Sequence, residues 1–258
     1  MSITALLAAM VRADPGRPRI TCYDDRAGTT QGERVELSAK VLTNWVNKAA
    51  NALQEEWDLG PGSSVALTLT PHWRTLYWAL ATWSVGATLV LPETTPETPH
   101  ATESGSTQSD AAPAVGANHG LPEPDLTIAA SLAALPAGAP GVLVTEAALA
   151  RGAGMPLPPT VLDEAGNLAN FADTFAAWAD PMPDDAALRA GASVTAYAAL
   201  IPPPTSPAGT RAATHTTDTA TFLRAALDAY ACGGSLVVTL GGSASPQRLD
   251  TEGVTRQV

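Results

Sequence analysis

LSAKVLTNWVNKAANALQEEWDLGPGSSVALTLTPHWRTLYWALATWSVGATLVLP, residues 37–92, reads without a break as helix, turn, strand, second helix and strand. Val41, Trp45, Ala49, Leu53 and Trp57 recur every fourth residue beside Leu42, Val46 and Ala50, while Lys40, Asn44, Asn47, Lys48, Asn51 and Gln54 take the other side. That period predicts an amphipathic helix of about five turns at 3.6 residues each. Ser38 is placed to cap its start, and Leu59-Gly60-Pro61-Gly62 ends it with residues that break helices and accept positive φ. Val65 to Thr70 favours a strand, and Pro71 falls where a following helix tolerates proline, in its first turn. Trp73, Leu76, Tyr77, Leu80 and Ser84 mark one face of that helix, but Trp78, Ala79, Ala81 and Trp83 make the other side apolar too. A helix apolar all round belongs at the centre of a fold. Gly86 closes it, and Ala87 to Leu91 completes a βαβ unit whose right-handed crossover makes the two strands parallel.

Working outward, Ile3 to Val11 predicts an N-terminal packing helix; no basic residue precedes it and Arg12 cuts it short, unlike a signal peptide. Arg19 to Asp24 alternates as a strand does, Gly28 to Gly32 is turn-like and Val35 begins a return, predicting a hairpin. From Glu93 to Pro124 the composition shifts to Thr, Pro, Ser, Glu, Ala and Gly, the signature of a linker. Leu126 to Ala130 and Gly141 to Thr145 read as short strands, Pro156 to Thr160 as a turn and Ser193 to Ile201 as another strand. Leu168, Phe171, Phe175 and Trp178, spaced by three and four, predict a helix over 163–179. Thr216 or Thr217 is expected to cap a helix running to Ala231, which Gly233-Gly234 ends before a strand from Ser235 to Leu240. LRAALDAYACGGSLVVTL thus repeats the form of LYWALATWSVGATLVLP. The expected fold class is α/β, with mostly parallel sheets flanked by helices in two related halves. These are residues 1–92 and 125–258, joined by a low-complexity linker at 93–124.

Composition excludes several function classes. An apolar content of 45% over 258 residues supports a sizeable core and a soluble globular protein. Fourteen basic against 25 acidic residues leave a net charge of -11, which argues against nucleic acid or an anionic membrane as partner. Cys22 and Cys232 stand far apart without metal-ligand spacing, so reduced thiols, no metal site and a cytoplasmic location are expected. Gly241-Gly242-Ser243-Ala244-Ser245 lacks the closing glycine of a nucleophile elbow, and His72, His100, His119 and His215 have no zinc-type spacing. His72 reads as a capping or solvent residue at a helix start. Asp24-Asp25, Glu55-Glu56 and Asp184-Asp185 are adjacent acids that read as solvated surface, leaving no catalytic residue to assign. Five of the six tryptophans lie between residues 45 and 83, where they read as core, or in part as a patch for a partner, an acyl group or a homo-oligomer contact.

The stretch at 37–92, with its helix ending in LGPG, its strand SVALTL and its closing GATLVLP, resembles the opening unit of AMP-forming adenylating enzymes. That superfamily comprises acyl-CoA synthetases, peptide-synthetase adenylation domains and luciferases. Arg34 to Leu42 (RVELSAKVL) stands where that family has its substrate-like phrase, and the two helix-glycine-strand units match its two related N-terminal subdomains. The resemblance covers the N-terminal portion and is nearer still to short actinobacterial chains related to that portion, in keeping with twelve arginines against two lysines. It implies ATP or AMP as the ligand of a Ser/Thr/Gly-rich loop of form TSGTTGxPK, and a second lysine in a C-terminal lid. Here no lysine follows Lys48. ESGSTQSD offers Ser104-Gly105-Ser106-Thr107 without the following glycine or Pro-Lys. TSPAGTRAATH offers Thr205, Ser206 and Gly209 before Arg211, with Thr214-His215 echoing the Thr-His that follows the family loop. These six residues are the vestigial-loop candidates, with a solvent loop leading into a helix as the plain alternative. The expectation is a catalytically incomplete relative acting as a binding or regulatory module for a nucleotide, an acyl group or a protein partner. The rival is an AMP-forming ligase whose lid and lysine come from another chain.

Overall fold

The computed structural model describes residues 1–92 and 123–258. The chain opens with α1 (Ile3–Ala13) and a hairpin of β1 (Pro18–Asp24) with β2 (Arg34–Ser38). α2 (Ala39–Trp57) follows at once, its first turn capped by the Ser38 hydroxyl accepting the Val41 N–H, and Asp58 in the left-handed region ends it. β3 (Ser64–Leu67), α3 (Trp73–Ser84) and β4 (Thr88–Leu91) make a βαβ unit with β3 and β4 parallel. Later come β5 (Leu126–Ala129), β6 (Gly141–Leu143), β7 (Val161–Asp163), α4 (Glu164–Asn167), β8 (Ala186–Ala190), β9 (Ser193–Ala196) and α5 (Tyr197–Leu200). The chain closes with β10 (Arg211–Thr214), α6 (Thr219–Ala231), β11 (Ser235–Leu240), α7 (Pro246–Thr251) and β12 (Arg256–Gln257).

The strands form two mostly parallel sheets flanked by helices, ordered β12-β10-β11-β1-β2 and β7-β6-β5-β3-β4-β8-β9. Each sheet holds one of the helix-glycine-strand repeats, as β10-α6-β11 in the five-stranded sheet and β3-α3-β4 in the seven-stranded one. Glycine is obligatory at the second repeat, because a Cβ on Gly234 would lie 2.0 Å from the Thr210 carbonyl oxygen. The sheets do not follow a division of the chain at 93–124. β1 pairs with β11, from beyond residue 210, and carries β2 on its other side, whereas β3 and β4 join the strands of 126–196. Strand pairing is non-local, and the buried helix α3 has a surface for each sheet. It packs on β1 of one sheet and on β3 and β4 of the other, and all twelve of its residues are buried. Residues 93–122 of the expected linker, with the Ser104–Thr107 fragment, lie outside the described residues.

One helix expected from periodicity does not form. Over 163–179 only α4 and a single 3-10 turn (Leu168–Asn170) are helical, and the chain then runs irregularly along α2 as a strap. The polar side of α2 is the reason. Lys48 Nζ donates to the Ala169 carbonyl at 2.8 Å and also to Phe171, and Asn47 Nδ2 to Asp173 at 2.7 Å. Asn51 Nδ2 donates to both Ala172 and Thr174 at 2.9 Å, and Gln54 Nε2 to Ala176 at 3.3 Å while its Oε1 accepts the Trp178 N–H at 3.0 Å. These side chains replace the partners a helix would have given those carbonyls. Asn51 and Gln54 are therefore buried, while Val41, on the apolar stripe, is 40% exposed. Phe171 and Phe175 still face inward and pack on the core, as their spacing demanded.

Asn51→Ala should leave two strap carbonyls unpaired and destabilise the protein by about 1–3 kcal/mol in urea unfolding, with faster proteolytic cleavage between residues 169 and 178. Unchanged cleavage would mean that Phe171 and Phe175 alone hold the strap.

Candidate functional site

In open parallel sheets, ligands bind beyond the carboxyl ends of the strands, where strand order reverses. In the seven-stranded sheet the order reverses at β3, which has β4 on one side and β5 on the other. The segment leaving β3, Thr68 to Arg74, is also where the carboxyl end of β1 approaches. Thr68 Oγ1 donates to the Ile128 carbonyl at 3.1 Å, and Thr219 Oγ1, at the start of α6, to the Leu69 carbonyl at 2.9 Å.

Two charge clusters fix this edge. At the end of β1, Asp24 accepts from Arg26 Nε at 3.0 Å, from Arg26 Nη2 at 2.8 Å and from Thr30 Oγ1 at 2.7 Å; Arg26 then reaches Glu146, beyond β6, at 2.9 Å. Burial raises the Asp24 carboxyl, but the bonds from Arg26 and Thr30 outweigh that and hold it below its ordinary value. Asp24 is thus a buried tie between the sheets, not the solvated acid expected from its neighbour Asp25, which pairs with Arg248 at 2.6 Å. In the second cluster Arg74 donates to Glu164 at 2.7 Å and to the Ala147 carbonyl at 3.0 Å, its guanidinium 4.2 Å from the centre of the Trp73 ring. Both partners are buried, and Glu164 Oε2 has no hydrogen-bond partner among the described residues. Burial pushes the Glu164 carboxyl up to about 7, opposed by Arg74. His72 caps α3, its Nδ1 accepting the Arg74 N–H at 3.3 Å, and burial with the charges of Arg74 and Arg26 lowers it to about 3. It is a neutral buried cap, the first of the two roles expected for it.

A cavity of about 440 Å³ lies at the ends of β3, β4 and β8 and the start of α6. Thr68, Thr70, Thr217 and Thr219 give it hydroxyls, Leu69, Leu91, Pro92 and Ala220 an apolar wall, and Asp218 its one charge among the described residues. The Asp218 carboxylate accepts the Thr221 N–H at 2.7 Å, so it occupies the place an anion would take at this helix start. A second cavity of about 440 Å³, at the ends of β5 and β6, is likewise lined by hydroxyls, from Thr29, Thr30, Ser131 and Thr145, and by the Glu146 carboxylate. Such walls suit an uncharged ligand with an apolar body and a few hydrogen-bonding groups.

The six loop candidates are divided between the two ends of β10. Thr205 Oγ1 and Ser206 Oγ donate to Asp228 on α6 at 2.8 and 3.2 Å, and Arg256 also bonds Ser206. Gly209, at φ +77°, donates its N–H to the Cys232 carbonyl at 2.8 Å, and its own carbonyl accepts from Arg17 at 3.0 Å. Arg211 lies across the five-stranded sheet, bonded to Ser235 Oγ at 3.1 Å, to Thr21 Oγ1 at 2.9 Å and to Glu252. Burial opposes ionisation of Glu252, but bonds from Tyr23, Arg211 and Arg34 bring its carboxyl down to about 2. At the other end of the strand Thr214 is buried and His215 exposed, both beside a cavity of about 280 Å³. Sequence reasoning missed the Arg74–Glu164 pair. The signal available was one arginine inside a helix otherwise apolar on every side.

No family model matches the chain. A Mycobacterium tuberculosis protein whose name records only a family membership is 46% identical over 89 residues, 34% of this chain and 35% of that protein. Among solved structures, an artificially fused adenylation–PCP di-domain NRPS from Klebsiella oxytoca, NpsA-ThdA, matches 99% of this chain at a TM-score of 0.64 and 14% identity. A Mycobacterium tuberculosis fatty acyl CoA synthetase matches 99% at 0.63 and 13%, and the N-terminal domain of FACL13 from that organism matches 100% at 0.62 and 12%. The chain spans 35% of the curated relative, 42% and 48% of the first two structures and 62% of the third. Among the described residues, no helix is long and apolar enough to cross a membrane.

The Glu164 carboxyl, at about 7 in the folded chain against an ordinary 4.5, binds its proton more tightly folded than unfolded between those values. Its contribution to stability is therefore present below pH 4.5 and declines as pH rises towards 7. Glu164→Gln should remove that decline, so that its stability relative to wild type increases across the window in urea titrations. His72 titrates alike in both proteins. A constant difference with pH would show that Glu164 is ionised throughout. Arg74→Ala should cost about 3–5 kcal/mol, as expected when one partner of a buried pair is lost.

Proposed function

We propose that this chain, which has the fold of the N-terminal part of adenylate-forming enzymes, is a catalytically incomplete form of that fold and works as a binding or regulatory module. The observation that carries the reading is that the loop arginine, Arg211, and the sheet-edge arginines Arg26, Arg74 and Arg248 are each engaged by carboxylates. A loop that cradles a triphosphate needs unengaged N–H groups and a free positive charge where charge builds up in the transition state. Here Arg211 bonds Glu252, Arg26 bonds Asp24 and Glu146, Arg74 bonds Glu164 and Arg248 bonds Asp25. The two lysines, Lys40 and Lys48, both lie on α2, and Lys48 holds the strap. Thr205 and Ser206 turn their hydroxyls to Asp228. On this reading Thr205, Ser206, Gly209, Arg211, Thr214 and His215 are a vestigial loop without ATP or AMP chemistry. The hydroxyl-and-apolar cavity at the end of β3 takes an acyl group or another uncharged molecule, and a protein partner is the readout.

A second reading has one observation in its favour, the alignment of 99% of the chain with a fatty acyl CoA synthetase. It makes the chain part of an AMP-forming ligase completed by a lid and lysine on another polypeptide.

Alone, the purified protein should show no carboxylate-dependent exchange of pyrophosphate into ATP. Calorimetry should give no binding heat with ATP or AMP, Arg211→Ala should behave as wild type, and acyl-CoA should bind through its acyl end. Exchange by the chain alone would overturn the proposal. Exchange only after addition of a lid-bearing protein would replace it with the second reading.

A further inference from the structure

The seven-stranded sheet ends on one side at β7, and a groove of about 710 Å³ runs beside the first residues of that strand, at the edge of the sheet opposite the carboxyl-edge cleft. The last turn of α2 and the start of the strap form its other walls. Trp57, Val161, Leu162 and Phe171, all half-buried, line it, and three of them, Trp57, Leu162 and Phe171, also pack on the core, which fixes this apolar surface in place. β7 has no strand on its outer side. The Gly141 N–H donates to the Thr160 carbonyl at 3.0 Å, so that carbonyl faces β6. Successive carbonyls of a strand point to opposite sides, which turns the next one, on Val161, outward. The Val161 N–H is taken by the Pro158 carbonyl at 2.9 Å, but its own carbonyl is left open at the sheet edge among the described residues.

The charges that line the groove have one sign. Glu55 and Glu56 stand on its rim, exposed, and neither pairs with a cation among the described residues. Every other lining residue is uncharged. The carboxyl end of α2, the negative pole of a nineteen-residue helix, closes the same side. Lys48, about two turns earlier on α2, is held by the Ala169 and Phe171 carbonyls of the strap and does not line the groove. Two open carboxylates and a helix end thus stand against one engaged cation. An open strand edge calls for an extended main chain, the apolar floor for an aliphatic side chain, and the Trp57 ring beside two carboxylates for a guanidinium. We infer that this groove docks an extended, arginine-bearing segment of a partner protein alongside β7. A main-chain N–H of the segment donates to the Val161 carbonyl, an aliphatic side chain packs on Leu162 and Phe171, and an arginine lies on Trp57 with its guanidinium towards Glu55 and Glu56. The inference rests on the reading of the chain as a module with a protein partner, to which it gives a chemistry and a place.

The test titrates the whole chain with the acetylated and amidated peptide Val-Arg-Val-Arg-Val and with its Val-Glu-Val-Glu-Val counterpart, by calorimetry and by amide shifts in NMR. The basic peptide should bind about tenfold more tightly than the acidic one, the size of preference that two exposed charge pairs give, and should shift the amides of residues 55–57 and 160–162. Its affinity should fall about threefold as salt rises from about 50 to about 500 mM. Glu55→Gln combined with Glu56→Gln, both at exposed positions, should bring the two affinities to within about twofold. Ala172→Trp, which sets a ring in the groove from an exposed lining position and keeps the main-chain carbonyl that Asn51 holds, should abolish binding of the basic peptide. The inference is overturned by no binding of the basic peptide at millimolar concentration, by equal binding of the two peptides, or by undiminished binding to the Ala172→Trp protein. Selectivity retained in the double variant would also overturn it, by tracing the preference to the net charge of -11 instead of the groove. Absence of peptide binding leaves the exchange and nucleotide results standing, and exchange by the chain alone leaves peptide binding standing, so the two readings fail separately.

Discussion

Complete burial of α3 is the constraint from which the rest of the architecture follows. A helix with Trp78, Tyr77 and Leu80 wholly buried has no side to leave in water, so every direction around it must be occupied by something apolar. One sheet covers only one side. The chain supplies the other by returning to pair β10 and β11 with the N-terminal hairpin, and α1 and α2 close the remaining gaps. The interleaving of the strands, in which neither half of the chain completes a sheet alone, is the topological answer to that helix.

The same arrangement sets the electrostatics. Bringing two parallel sheets together along one edge drives their loop carboxylates inward, and each must meet a cation or lose its charge. Asp24 meets Arg26, and Glu164 meets Arg74. Across the outer face of the five-stranded sheet, Glu252 gathers Tyr23, Arg34 and Arg211. In a chain with only two lysines, arginine carries most of the positive charge, and Arg26, Arg34, Arg74 and Arg211 are committed to these contacts.

How much could be read in advance depended on how local each cause was. α2 and α3 were legible to within a residue or two, and the strands of the β3-α3-β4 unit to within three, because periodicity and caps at Ser38 and Gly86 act over a few positions. The mixed α/β class and the equivalence of the two helix-glycine-strand units were legible for the same reason. The sheet to which each unit belongs was not, since strand partners are chosen across the whole chain. The strap was misread because Phe171 and Phe175 do point inward at helical spacing, while the deciding forces sit 121 and 123 residues away on Asn51 and Lys48. The inward turn of Asp24 and the pairing of Arg74 depend on segments as distant as Glu146 and Glu164, and no spacing rule reports them. Arg211, singled out as a loop candidate, opens β10, and its carboxylate partner lies 41 positions further on.

Recognition of the strap through its main-chain carbonyls has an evolutionary consequence. Side chains between Ala169 and Ala176 that point away from the core are invisible to α2, so point changes there drift freely. Adding or deleting one residue is different, because it shifts every later carbonyl out of step with an amide ladder fixed at helical pitch. Selection on this segment should therefore act as a ruler, strict about length and indifferent to spelling, and length rather than composition is the trait by which homologous straps would be aligned.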